Sequence, residues 1–272
     1  MAVYQKGEQW ESGEFPAILA VGDSWFWYPK NNLLEALSRH PRLSRDFRHI
    51  QAVGYSGALL QRYVGGGSLA GDVAYNLSLN IRRHYNVFMI SGAGNDAIDY
   101  QLALAGSCHG ITEPEQCFDP VGLDALLETI SRAMGALIHD IRWAYKNEQT
   151  MVRPIFIHGY DYPVPDGRGF MMGPVTSGPW LKPALDKVGL DPDLQFRIEV
   201  TRLLIDRLND LLALFENPAN DVAYIDTRGV LRNDRNYHKD WDNEMHPTWS
   251  GFRKIVDQRW IPELARWGIA RE

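Results

Sequence analysis

Five short apolar runs punctuate the chain, and each stops abruptly at a polar turn, the pattern of buried strands rather than of helices. They are 17–21, running into Gly22-Asp23-Ser24; 47–53, into Gly54-Tyr55-Ser56-Gly57; 87–90, into Ser91-Gly92-Ala93-Gly94-Asn95; 152–157, into His158; and 222–226. Between them the apolar period changes. Over 122–146, Leu123, Leu127, Ile130, Met134, Leu137, Ile141 and Tyr145 recur at three and four residues, which predicts a long amphipathic helix. Shorter helices are expected over 32–38 and 72–84. Another carries Leu204, Leu208, Leu211, Leu212 and Phe215, and a closing one carries Phe252, Ile255, Val256 and Trp260. Two stretches have no usable period: 158–183, rich in Gly and Pro, reads as a long loop, and 233–247 as a polar, irregular one. Strands that alternate with helices must be joined by crossovers, so neighbouring strands run parallel and both sheet faces are covered. The expected fold is a three-layer α/β/α sandwich around a central, mainly parallel five-stranded sheet.

Composition narrows the function classes. A chain of 272 residues exceeds ~150, but α/β folds often run to ~250 residues in one piece, and no linker, repeat or composition step divides this one. Residues 1–272 are therefore read as one domain. A net charge of −6 argues against a nucleic-acid surface, and Arg82-Arg83-His84, the longest basic cluster, reads as a solvated helix end. Residues 1–14 lack the apolar core of a signal peptide, and no run of ~18 apolar residues can span a bilayer, so the default location is cytoplasmic. Cys108 and Cys117, the only cysteines, share the loop 106–120; a disulfide closing it and two free thiols both stay open, whereas zinc lacks the further ligands it needs.

Candidate chemistry collects at the strand ends. In open parallel sheets the carboxyl ends of the strands form the ligand crevice, and the first three runs deliver Ser24, Gly57 and Asn95 there. Each alone reads as an ordinary turn residue. A fourth stretch, Asp242-Asn243-Glu244-Met245-His246-Pro247-Thr248, stands just before the closing helix. A metal-dependent phosphoesterase is a rival, with Asp23, Asn95, Asp161 and His246 as ligands, but the Asp-x-His and Gly-Asn-His pairings typical of such sites are missing.

Taken together, these four stretches resemble the four motif blocks of the SGNH hydrolases, also called the GDSL esterase/lipase family, in order and spacing over nearly the whole chain. The resemblance implies a flavodoxin-like α/β/α fold and a serine hydrolase that cleaves carboxylic esters through an acyl-serine intermediate, with no metal or organic cofactor. It implies Ser24 as nucleophile and His246 as base. The implied oxyanion hole consists of the backbone N–H groups of Ser24 and Gly57 and the side-chain amide of Asn95. A thioesterase or carbohydrate O-acetylesterase would use the same site. The expected partner is a small-molecule ester, a lipid or an acylated sugar, and a non-catalytic saccharide- or lipid-binding module is the rival from another class. Two departures stand out: Ala93 replaces the usual glycine two residues before the asparagine, and Asn243 stands where the family has aspartate three residues before the histidine.

The chemistry agrees with the resemblance. A serine hydroxyl becomes a useful nucleophile when an imidazole takes its proton, and preorganised N–H donors stabilise the oxyanion that follows. His40, His49, His84 and His139 fall in or beside elements and read as surface or packing residues, while His158 lies at site depth. Ser56 sits in a turn like Gly-x-Ser-x-Gly, but Ala58 occupies the second glycine position. The expected pocket residues are Trp25, Trp27, His158, Tyr160, Met171 and Met172. For the group that orients His246, charge selects Asp242 and register selects Asn243, with Glu244 and Asp240 as neighbours; Asp242 is taken as the acidic member because a carboxylate also stabilises the imidazolium.

Overall fold

The computed structural model describes residues 2–10, 15–97, 103–148, 152–190 and 193–272. Its strands, in chain order, are β1 (Ala2–Tyr4), β2 (Ile18–Gly22), β3 (His49–Gly54), β4 (Val87–Ser91), β5 (Ile155–His158), β6 (Phe170–Met172), β7 (Val175–Ser177) and β8 (Val222–Ile225). Six of them form one sheet in the order β1-β3-β2-β4-β5-β8, with every pairing parallel. The sheet thus has one strand more than expected. Ala2-Val3-Tyr4 is too short to show a period, yet it pairs with His49, Ile50 and Gln51 at the edge. Without it the order is that of flavodoxin-like sheets, which place their ligand site where the strand order reverses. Here the reversal falls at β2, between β3 and β4.

The central strands are buried on both faces, as a covered parallel sheet demands: all five residues of β2 and of β4 are inaccessible. The helix Leu33–Ser38 packs against Trp249–Ile255, and Pro120–Ala144 packs against Leu194–Ala213, giving the two outer layers. In Pro120–Ala144 the stripe Ile130, Ala133, Met134, Leu137 and Ile141 is buried, while Asp119 caps the start by accepting from the N–H groups of Val121 and Gly122. The helix expected over 72–84 is two helices, Ala70–Asn76 and Leu79–Arg82, because Ser78 between them is extended.

The stretch 158–183 is not a plain loop. It contains the antiparallel hairpin of β6 and β7, and the helix Lys182–Lys187 begins at its end. Cys108 and Cys117 are both buried free thiols, and the base of the loop 106–120 is closed by backbone hydrogen bonds, Ala105 N–H to the Cys117 carbonyl (2.9 Å) and Asp119 N–H to the Ala103 carbonyl (2.8 Å), rather than by a disulfide. Among the described residues no helix is long and apolar enough to cross a membrane.

The ends of β2, β3 and β4 converge tightly. Gly22 is in register with both Gly54 and Ser91, and Gly54 adopts φ +143°, where a Cβ would lie 2.0 Å from the Gly22 carbonyl oxygen. Only glycine fits there, and that close approach brings the three polar turns to one place.

Candidate active site

Ser24 opens the short helix Ser24–Trp27 directly after β2 and is 4% exposed. Asp23 holds the turn: its N–H donates to the Ser91 carbonyl (2.8 Å), and its carboxylate accepts from the Trp25 N–H (3.0 Å), the Ser91 hydroxyl (2.9 Å) and the Tyr160 hydroxyl (2.6 Å). Burial raises the Asp23 carboxyl to about 6, against the lowering effect of those donors. Asp23 is thus committed to the turn.

His246 comes from a small loop closed by a bridge between Trp241 and Pro247, immediately before Thr248 caps the helix Trp249–Ile255. Its Nε2 lies 2.8 Å from Ser24 Oγ. The tautomer follows from the neighbours. Asn243 Oδ1 accepts from the backbone N–H groups of Met245 and His246 (3.0 Å each), so this atom is the oxygen of the amide. The same oxygen lies 3.0 Å from His246 Nδ1, which must therefore carry a proton and donate it. Nε2 is left with its lone pair toward the serine hydroxyl. Burial pushes the imidazole down to about 3, opposed by the charge of Asp242 and aided by that of Lys30, so the ring is neutral at ordinary pH. Tyr28 stacks flat on it (4.2 Å, 4° between planes), and Trp180 meets it edge-on at 5.6 Å.

The direct partner of His246 Nδ1 is therefore Asn243 and not Asp242. The Asp242 carboxylate turns away to Tyr28 and Lys30, accepting from the Tyr28 hydroxyl at 2.5 Å and from Lys30 Nζ at 2.8 and 3.1 Å. Register decided the matter over charge, because only the residue three positions before the histidine can take the two backbone N–H groups of the turn as well as the ring. Asp240 ion-pairs with Arg232 and Lys254. Glu244 is fully buried and accepts from the N–H groups of Gly167 (2.8 Å), Trp180 (2.8 Å), Leu181 (2.9 Å) and Lys182 (3.1 Å), fastening 158–183 to the histidine loop.

Gly57 and Asn95 line the same recess as Ser24 and His246. Gly57 has φ +91° and no heavy atom within 4 Å of its missing Cβ, so the turn is open on this side. Asn95 donates one amide hydrogen to the Ala58 carbonyl (3.1 Å), and Asp96 accepts from the Leu60 N–H (2.9 Å), which ties the β3 and β4 turns together. Ala93, two residues before Asn95, adopts φ +97°, a conformation that strains an alanine by about 1–2 kcal/mol.

The recess at Ser24 holds about 230 Å³ and is walled by Tyr28, Pro29, Phe170, Val175, Trp180 and Met245. None of the six expected pocket residues walls this recess. Met171 and Met172 are 66% and 47% exposed, because the hairpin turns Phe170 inward and them outward. Trp27 lines a separate recess of about 580 Å³ with Trp10 and Gln51, which contains neither Ser24 nor His246. His158 is wholly buried, accepts from Trp260 Nε1 at 3.4 Å, and lies under the site among Trp25, Phe26 and Tyr160. Trp25 and Tyr160 line a small void of about 30 Å³ that also touches Ser24, and Trp25 Nε1 donates to the Met245 carbonyl (3.2 Å) beside His246. Among the described residues no three His, Cys, Asp or Glu side chains group as a metal site. Asp161 accepts from the N–H groups of Gly229 (2.7 Å) and Leu231 (2.6 Å), where it holds a turn.

No family model matches the chain, and no curated protein matches it. Solved structures do. The lipase Lip_vut3 from a goat rumen metagenome shares 15% identity with a TM-score of 0.56, covering 93% of this chain and 98% of that one. The acetylxylan esterase Axe2 from Geobacillus stearothermophilus is 13% identical with a TM-score of 0.42, over 96% of this chain and 97% of that one. A GDSL-like lipase from Bacteroides thetaiotaomicron is 12% identical with a TM-score of 0.39, over 96% and 91%. The likeness to the goat-rumen lipase establishes a shared α/β/α fold.

Proposed function

We propose that the chain is a serine ester hydrolase of the SGNH type, working as one domain on a small-molecule carboxylic ester. The observation that carries this reading is the 2.8 Å contact between Ser24 Oγ and a His246 Nε2 whose lone pair is fixed by the amide on the other side of the ring. The fold shared with a lipase agrees with it.

In this mechanism Ser24 Oγ attacks the ester carbonyl carbon while its proton passes to His246 Nε2. The carbonyl oxygen becomes an oxyanion, received by the N–H groups of Ser24 and Gly57 and by Asn95 Nδ2, donors whose individual worth in related sites is ~10²–10³ in turnover. Collapse expels the alcohol, which leaves with the proton from Nε2 and leaves the acyl group on Ser24. Water then repeats the sequence, giving up its proton to Nε2, and releases the acid. Tyr28, Phe170 and Trp180 supply apolar walls for an acyl or alcohol group, in a recess smaller than the ~300 Å³ at which drug-sized pockets begin. A thioester fits the same sequence of steps.

The test is hydrolysis of a panel of esters, thioesters and acetylated sugars of graded acyl length by the wild type, Ser24→Ala and Ser56→Ala. Ser24→Ala is expected to abolish turnover. Ser56, whose hydroxyl donates to the Trp27 carbonyl at the rim, is expected to be dispensable. Activity that survives Ser24→Ala and disappears on chelation would favour a metal-dependent esterase instead.

A further inference from the structure

If His246 is the base, its imidazolium must be stabilised without the carboxylate that the family places beside it. The missing charge is two hydrogen bonds away. Asn243 Nδ2, which can only donate, lies 2.9 Å from the Tyr28 hydroxyl, so the phenol oxygen accepts there. The single phenol proton is then committed to Asp242 Oδ2 at 2.5 Å. Every direction along the chain Asp242, Tyr28, Asn243, His246 is thereby fixed. Each donor is polarised by the acceptor behind it: the carboxylate draws on the phenol proton, the phenol oxygen on the amide, and the amide oxygen on the ring Nδ1–H.

We propose that Tyr28 and Asp242 are positioning residues that relay carboxylate support to His246 through Asn243. The proposal rests on the serine hydrolase reading and deepens it. The same phenol ring covers the face of His246, so the relay also holds the imidazole from the side. Lys30, itself 31% exposed, ion-pairs with Asp242 at 2.8 Å from the same Oδ2 that accepts from Tyr28, and against the effect of burial these two donors hold the carboxyl below its usual value. The charged groups acting on the ring are Asp242, which favours the imidazolium, and Lys30, which opposes it. Tyr28 and Trp180 are the rings packed on His246.

The experiment compares wild type, Tyr28→Phe, Asp242→Asn and the double variant in three readouts: the rate of Ser24 labelling by a fluorophosphonate, kcat and KM on an activated ester, and the NMR resonance of the His246 Nδ1 proton. Tyr28→Phe keeps the stacked ring and guards against a folding defect in the other variant. Each single variant is expected to lower labelling and kcat by roughly tenfold or more with KM nearly unchanged, the usual scale for a residue that orients a reacting one. The double variant should be no worse than the poorer single, and the Nδ1 proton should move upfield in all three. Labelling within twofold of wild type, multiplicative losses, or an unmoved Nδ1 resonance would overturn the relay and leave these residues as loop anchors. A wild type that labels nowhere on Ser24 would instead defeat the hydrolase reading, and the relay with it.

Discussion

Asn243→Asp installs the aspartate of the SGNH pattern that the sequence resembles, and the structure says what the added charge should do. The new carboxylate oxygen would take the place of Oδ1, 3.0 Å from His246 Nδ1, with its charge centre about 4 Å from the ring's. At an effective dielectric of about 20 two unit charges at that separation attract by about 4 kcal/mol, equivalent to a rise of about 3 pK units. The imidazole, held at about 3 by burial, should then titrate at roughly 6. Because His246 must be neutral to take the serine proton, the acid limb of kcat/KM should move up by 2–3 units, roughly. Wild-type activity should stay flat through mildly acidic pH where the variant's falls. At pH 8 both rings are neutral, and the variant should turn over at least as fast, since its imidazolium is better stabilised in the transition state. The single phenol proton of Tyr28 cannot serve two carboxylates, so part of the gain is offset by repulsion from Asp242. A pH–rate profile on an activated ester and an NMR titration of the His246 ring measure the shift independently. If both limbs stay within about half a unit of wild type, Asn243 is not the group that faces Nδ1 in the working enzyme.

His158 and His246 are both buried neutral at about 3; below the unfolded value of about 6.5 the unfolded chain binds more protons, so stability falls with pH by about 1.4 kcal/mol per unit for each. Asp23, raised to about 6, works in the opposite sense between about 4 and 6, since there the folded state holds the extra proton. His158→Leu should therefore shrink the stability lost between pH 6.5 and 4.5 by about 2–3 kcal/mol, measured by urea unfolding at both pH values; an unchanged loss would contradict the burial argument. Trp180→Ala should alter acyl-length preference strongly and Met171→Ala with Met172→Ala hardly at all, since Trp180 walls the recess while the methionines face solvent; equal effects in the ester panel would refute this placement. Glu244→Gln removes the charge and half the acceptor capacity under four N–H groups, and should lower stability by about 2–3 kcal/mol in denaturant titration; a loss below about 0.5 kcal/mol would show that 158–183 is held otherwise.

What the sequence made legible was whatever has a period or a block. The apolar runs at β2, β3, β4, β5 and β8 and the stripe along Pro120–Ala144 all announce themselves, because burial on one or both faces forces the pattern. β1 did not, since three residues carry no period and each pairs with a residue 47 positions later, Ala2 with His49 through Tyr4 with Gln51. The hairpin of β6 and β7 hid among glycines and prolines, and the inward turn of Phe170 against the outward turn of Met171 depends on register that only the paired strands set. At the site, the turns around Ser24, Gly57, Asn95 and His246 were legible as chain-order blocks. The choice between Asp242 and Asn243 was not, because it hangs on two backbone N–H groups converging on one side-chain oxygen. Tyr28 and Lys30 lie more than 200 residues from Asp242, so nothing local joins them to it. The aromatic run Trp25-Phe26-Trp27-Tyr28 was the one available signal, and its fourth residue reaches the histidine.

The central claim is that an acyl group passes through Ser24, and a covalent adduct tests it most directly. Rapid quenching of the protein with an activated ester, followed by peptide mass spectrometry, should find the acyl group on Ser24 in the wild type. No adduct should form in Ser24→Ala, and little in His246→Ala, where no base takes the proton. An acyl group on Ser56, or ester turnover with no adduct on any serine, would contradict the account.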